Sequence, residues 1–249
     1  MKNAAQHGRK LNGLLRRIKS KYDVPEYDEL DPIEQLVRSF LLWEASAAQA
    51  DAGYDRLMKL TVDFNDLRVT DPTDVAAALG PRFPRVEERA YRLKVSLQDV
   101  YEREHAVSLD GLAAKSKREA RAYLDDLNGM VPFVSARVML LSLSGHAIPV
   151  DDRMVARLQA DEVAEPKVTV AELQAFLEHQ VKAADAVQVA EVLRQYAEDT
   201  PVKPGATTKK ATKKRAAAST RKAAGTKKKT TKKSAKKSTK KTTKKKRTR

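Results

Sequence analysis

A chain of 249 residues has room for one large domain or two small lobes plus an appendage. Its formal charge of +16 is unevenly spread: 22 Lys and Arg and no acid follow Asp199, whereas residues 1–200 carry 27 basic and 33 acidic side chains. With no cysteine, a disulfide framework, a thiolate metal site and a thiol nucleophile are excluded, and with no apolar run of signal-peptide or membrane-spanning length a soluble intracellular protein is expected.

Residues 1–21 hold seven basic side chains and no acid, and Leu11, Leu14, Leu15 and Ile18 recur at helical spacing. This predicts a short amphipathic helix packed on the domain, with phosphate contact by its basic face as a second reading. Asp31-Pro32-Ile33-Glu34 reads as a helix start, with Asp31 as N-cap, Pro32 at the first helical position and Glu34 completing a capping box. Ile33, Leu36, Val37, Phe40 and Leu41 then form one apolar stripe, with Trp43 beside it as core. The alanine-rich run from Ala45 to Leu57 continues as one helix or a pair. Asp71-Pro72-Thr73-Asp74 repeats the start signal, and Gly80-Pro81 ends that short helix.

From Val86 to Glu104 the apolar positions hold a period near 3.6, which predicts a long helix. Ser116-Lys117-Arg118-Glu119 is a capping box opening a helix that ends at Leu127. Asn128-Gly129 marks a tight turn, followed by a buried helix over roughly Val134–Ser144, a glycine stop at Gly145 and an extended approach to Asp151. Thr169–Glu172 opens another helix, and Asp185 is expected to cap the last, through Val189, Leu193 and Tyr196. No window alternates like a strand, so the fold class is all-α, with nine or ten helices.

At Pro201 the composition changes. Lys-Lys pairs recur between Thr, Ser and Ala, with no large apolar residue beyond Val202. Such a segment cannot bury enough surface to offset its ordering entropy, so residues 200–249 are expected to be a disordered tail. Lysines such as Lys209, Lys210, Lys213 and Lys214 would neutralise phosphates and release counterions without reading sequence. The composition resembles linker-histone tails and implies nucleic acid as the partner. DNA is favoured over RNA because no aromatic-interleaved platform is present; no anchoring segment supports a membrane.

One stretch carries a motif. Leu127-Asn128-Gly129-Met130-Val131-Pro132, then Ser135-Ala136, then Val150-Asp151-Asp152-Arg153 resembles the hairpin and following aspartate of the helix-hairpin-helix (HhH-GPD) DNA glycosylases of the endonuclease III superfamily. Phe40-Leu41-Leu42, followed by Trp43-Glu44-Ala45-Ser46, is similar to an upstream helix start of that family, and the likeness spans about residues 31–196. It implies a two-lobed helical domain. Residues 31–145 would form the lobe that ends in the hairpin; residues 1–30 and 146–199 would form the second.

The same resemblance implies that Asp151 is catalytic, stabilising the sugar cation as a base leaves. Its alternative reading is the N-cap of a following helix. Backbone N–H groups of Asn128, Gly129, Met130 and Val131 would face a phosphate, with Arg137 and Arg153 as further phosphate contacts. Glu44 falls where the family inserts a polar side chain into DNA, and is read as a general base sooner than as a DNA contact. The chain departs from the family in three ways. No lysine lies between Leu127 and Val150, so Schiff-base lyase chemistry is not supported. Val131-Pro132 replaces the second hairpin glycine. The four-cysteine iron–sulfur loop is missing, so no cofactor is expected. The four histidines are isolated and suggest no metal.

A monofunctional DNA glycosylase and a non-catalytic DNA-binding protein on the same scaffold are therefore the two functional expectations. Both are expected to be monomeric and cytoplasmic, with nucleoid association (nuclear in a eukaryote).

Overall fold

The computed structural model describes residues 3–24 and 30–202. Eleven α-helices and two short 3₁₀ turns, with no strand, make up the described residues: α1 (Ala4–Ile18), α2 (Pro32–Leu42), α3 (Ala47–Leu60), α4 (Phe64–Val69), α5 (Pro72–Leu79), α6 (Val86–Glu104), α7 (Lys117–Asp126), α8 (Pro132–Leu141), α9 (Asp152–Ala160), α10 (Val170–Gln180) and α11 (Ala186–Asp199). The all-α expectation therefore holds for these residues. The disorder expected of the Lys-rich segment, and the phosphate role of Lys209, Lys210, Lys213 and Lys214, lie outside the described residues.

Local signals set most helix starts. Ser116 and Thr169 form complete capping boxes with Glu119 and Glu172, satisfying first-turn N–H groups that have no partner within the helix. Asp31 caps α2 through the amides of Ile33 and Glu34, yet the expected box does not close. Glu34 turns instead to Arg38 Nε at 2.8 Å and accepts from Tyr54 Oη at 2.9 Å. Asp185 stands at the head of α11 without a capping bond from its side chain. The alanine-rich stretch is a single helix, α3, and starts at Ala47 because Ser46 and Gln49 form a box there. The short α4, capped by Asp63 and burying only Leu67, was not expected.

Two apolar clusters organise the helices. One draws on α2 to α8, between Ile33 and Ala147. The other joins Leu11, Leu14, Leu15 and Ile18 of α1 to Leu140 and to residues between Ile148 and Ala197. Helix α8 is shared and is buried on every side from Phe133 to Leu140, the pattern of a helix enclosed by others. It ends at Leu141, three residues before the expected boundary. The Leu143 and Gly145 amides fold back onto the carbonyls of Val138 and Met139, and Ser144 takes the left-handed conformation (φ 47°). Gly145 packs close against Met139, so a Cβ there would displace the end of the Met139 side chain.

The corner between α2 and α3 is held by a buried cation. Arg89 of α6 is fully buried and donates to the carbonyls of Phe40, Trp43 and Pro84. It supplies donors to carbonyls that α2 leaves open at its C-terminus. Its guanidinium also faces the rings of Phe83 and Trp43, and burial lowers its pKa to about 10. Trp43, 7% exposed, is core as expected. The residue after it, Glu44, is left-handed (φ 55°), which turns the chain out of α2.

Candidate active site

The hairpin between α7 and α8 is a turn closed by the Met130 amide on the Leu127 carbonyl at 3.0 Å. Gly129 occupies its third position with φ 77°, where a side chain is strained. The turn is fastened to α6. The Asn128 amide donates to Asp99 Oδ2 at 2.7 Å, and Ser96 Oγ donates to the Asn128 carbonyl at 2.8 Å. Asp99 is itself gripped by Arg103 of the same helix.

This anchoring corrects part of the expected phosphate cradle. The amides of Asn128 and Met130 are already used, and Pro132 has none. Gly129 and Val131 keep amides with no protein partner among the described residues. The Val131 side chain is buried and that of Asn128 exposed.

Arg137 is also corrected. It is 8% exposed and lies 3.6 Å from Glu191 of α11, because α8 is enclosed on all faces. Glu191 pairs in turn with Arg194, which donates to Glu198 at 2.6 Å, and Glu198 accepts from the Ala47 amide at 3.3 Å. Arg137 thus begins a buried polar chain that ends at the start of α3, and it is not a surface cation.

Asp151 is 3% exposed and is the N-cap of α9. Its Oδ1 accepts from the Met154 amide at 2.9 Å, and its Oδ2 accepts from Arg153 Nε at 3.0 Å. The capping alternative for Asp151 is therefore what the geometry displays, and Arg153, 28% exposed at its side chain, is drawn onto it. Val150, just before Asp151, belongs to the second cluster, while the nearby Ala147 belongs to the first. The carboxylate stands where the two clusters meet.

Across that junction lies a group that sequence reasoning only half identified. Arg85, left-handed at φ 51°, precedes α6. It donates Nε to Glu44 Oε2 at 2.7 Å, Nη1 to Glu88 at 3.1 Å and Nη2 to Asp152 at 3.4 Å. It links the first cluster to the residue after Asp151. Glu44 is 13% exposed at its side chain, and its second oxygen is buried without a hydrogen-bond partner. Burial raises the Glu44 pKa above the ordinary carboxylate value; Arg85 opposes this and the Asp152 carboxylate adds to it. Arg85 carried no sequence signal, because its partners are 41 and 67 residues away.

No group of His, Asp and Glu suited to a metal ion occurs among the described residues. The iron–sulfur cluster of some proteins with this architecture needs four thiolates, and the chain has no cysteine. The donor set does not fit, and no step runs through such a cluster.

No family model matches the chain, and none of the curated proteins does. Solved structures do. A trapped endonuclease III–DNA covalent intermediate superposes with a TM-score of 0.58 at 13% identity, over 79% of this chain and 86% of that one. The Clostridium acetobutylicum 8-oxoguanine glycosylase/lyase bound to double-stranded DNA gives 0.60 at 16%, over 80% and 71%. The H. pylori 3-methyladenine DNA glycosylase bound to 1,N6-ethenoadenine gives 0.58 at 12%, over 79% and 99%. At these identities the likeness is one of architecture, and the chain has the helix-hairpin-helix fold of these DNA glycosylases.

Proposed function

We propose that the protein is a DNA glycosylase that removes a damaged or mismatched base by hydrolysis. The supporting observation is the placing of Asp151: a buried carboxylate fixed at the head of α9, where the two clusters meet, on a fold shared with glycosylases solved in DNA complexes. The Gly129 and Val131 amides would hold one phosphate, and the target nucleotide would turn out of the stack into the junction. As the bond between C1′ and the base nitrogen breaks, its electron pair leaves with the base, and Asp151 stabilises the positive charge left on the sugar. Water then adds its hydroxide to C1′, and its proton is released. No lysine lies between Leu127 and Val150, so the reading includes no Schiff base, and borohydride is expected to trap no DNA adduct.

The test is excision from a panel of duplexes, each bearing one damaged or mismatched base. Asp151→Asn keeps a good N-cap but removes the charge, so release should fall by about 10²–10³-fold while DNA affinity changes little. If the unaltered protein excises nothing from a broad panel, the glycosylase reading fails. One observation favours a second reading, a non-catalytic DNA-binding protein: both Asp151 oxygens are occupied, by the Met154 amide and by Arg153. Under that reading Asp151→Asn alters neither excision, which is nil, nor affinity.

A further inference from the structure

Helix α1 carries a charged face that the mechanism above leaves unused. Residues 1–21 hold seven basic side chains and no acid, whereas residues 22–200 carry 20 basic and 33 acidic ones. Positive charge in the first 200 residues is therefore gathered around α1. The apolar face of the helix is already occupied: Leu11, Leu14, Leu15 and Ile18 are all buried in the second cluster. Two polar contacts fasten its flanks, Lys10 Nζ donating to Glu162 at 3.2 Å and Lys19 Nζ to Gln188 Oε1 at 2.9 Å. Arg9, Asn12, Gly13, Arg16 and Arg17 remain turned to solvent.

Residues three, four and seven apart share a helix face, so Arg9, Gly13 and Arg16 line up, with Arg17 at the edge of the row. Among the described residues no carboxylate pairs with these three arginines. Arginine elsewhere in the body is matched, as Arg92 is by Glu88, Arg103 by Asp99 and Arg157 by Asp161. Arg16 and Arg17 lie in the last turn of α1, where a cation also complements the helix dipole. Arg9, two turns earlier, lies beyond the reach of that dipole end and has no such role within the fold.

Gly13 is an independent sign. Of the two glycines in α1, Gly8 is buried against the Gln180 side chain, whereas a Cβ at Gly13 would meet nothing within 4 Å. Glycine inside an exposed helix weakens it, so the fold gains nothing from this one. Its effect is to leave the backbone bare between two arginines, open to the close approach of a partner. A basic amphipathic helix can also lie in a membrane interface, but it does so through its apolar face, and in α1 that face is in the core. The exposed face is suited instead to a polyanion met by charge alone. From Arg9 to Arg16 the helix advances about 10 Å. Duplex DNA presents one charge per about 1.7 Å of its axis, so a single duplex offers phosphates to all three arginines.

We infer that the exposed face of α1 binds the phosphate backbone of duplex DNA through Arg9, Arg16 and Arg17, with Gly13 as the point of closest approach. The inference rests on DNA being the partner in the function proposed above; it does not require that a base be excised. Helix α1 shares its cluster with Val150 and Met154, on either side of Asp151. The helices around that carboxylate thus have a hold on DNA of their own, separate from the hairpin amides.

The test is a fluorescence-anisotropy titration of the full chain with a short duplex of mixed sequence over a range of salt concentrations. Arg9→Gln, Arg16→Gln and Arg17→Gln combined should reduce the magnitude of the salt slope by about 2–3, at roughly 0.9 per lost contact, and weaken binding by at least about tenfold near physiological salt. Lysine at the same three positions keeps the charge and should restore the slope. Lys59→Gln, Arg118→Gln and Lys167→Gln combined remove as much charge from exposed positions elsewhere and should leave the slope as it is. Gly13→Leu changes no charge and improves the helix; it should keep or raise the melting temperature while weakening DNA binding severalfold.

An unchanged slope in the arginine triple, or an equal loss in the control triple, would overturn the assignment of α1 while leaving the proposed function standing. So would a loss of affinity for phosphatidylserine vesicles with none for DNA, which would make the face a membrane contact. Absence of DNA binding by the unaltered chain would remove both. Melting temperatures show whether each variant folds. Should the arginine triple unfold, Gly13→Leu decides alone, and undiminished DNA binding by that variant overturns the inference.

Discussion

Gly129 shows how one residue ties the hairpin to its support. Its φ of 77° is unfavourable for any residue with a side chain, and a Cβ there would stand 2.8 Å from the Arg92 carbonyl and 3.2 Å from Ser96 Oγ. Both neighbours belong to α6, so substitution strains the turn and pushes it off the helix that anchors it. Gly129→Ala is expected to cost about 1–3 kcal/mol in unfolding free energy, read by urea denaturation. It should also weaken binding to short duplex DNA, because the Gly129 and Val131 amides are displaced together. A Gly129→Ala protein as stable as its parent would mean that the close packing of the turn on α6 is not maintained in solution. Glu44 and Arg85 are the opposite case: ordinary side chains held where glycine is preferred, with the hydrogen bond between them at 2.7 Å as the compensating contact.

Between elements, α8 to α11 is the informative contact, and it explains why part of the site escaped sequence reasoning. Capping boxes at Ser116 and Thr169 were legible because donor and acceptor lie three residues apart. The Asp31 box was misread because Glu34 is claimed by Tyr54, 20 residues away. Arg137 looked like a phosphate contact because a helix buried on all faces cannot be told from a half-exposed one by spacing alone, and Glu191 is 54 residues further on. Asp151 was legible as a cap, since a carboxylate before a helix is a local signal; the neighbourhood of Glu44 and Arg85 exists only once α2, α6 and α9 are assembled.

The pairing makes a prediction. Removing Glu191 leaves Arg137 and Arg194 buried without their shared anion, so Glu191→Ala should destabilise by about 3–5 kcal/mol. Arg137→Met keeps much of the volume and should cost less. Neither substitution should alter the salt dependence of DNA binding, because Arg137 does not reach the surface. A reduced salt slope in Arg137→Met would show that the guanidinium leaves Glu191 to meet a phosphate.

At the scale of the whole molecule, charge is divided between two parts of the chain. Residues 1–200 carry six more acids than bases, while the residues after Asp199 carry 22 bases and no acid. A mildly acidic body approaches a polyanion at a disadvantage, and the exposed Arg9, Arg16 and Arg17 of α1 offset only part of it. We propose that the Lys-rich segment supplies affinity for DNA and the hairpin amides its position. If a dozen lysines engage phosphates, the logarithm of the binding constant should fall with that of salt at a slope near about −10, at roughly −0.9 per contact. Truncation before Pro201 should remove most of this slope and most of the affinity in fluorescence-anisotropy titrations at several salt concentrations. Under the proposed glycosylase reading, single-turnover excision at saturating protein should change little, because Asp151 lies within the retained part. Tight binding that survives truncation with its salt slope intact would place the phosphate contacts on the helical body, leaving the Lys-rich segment without a part in holding DNA.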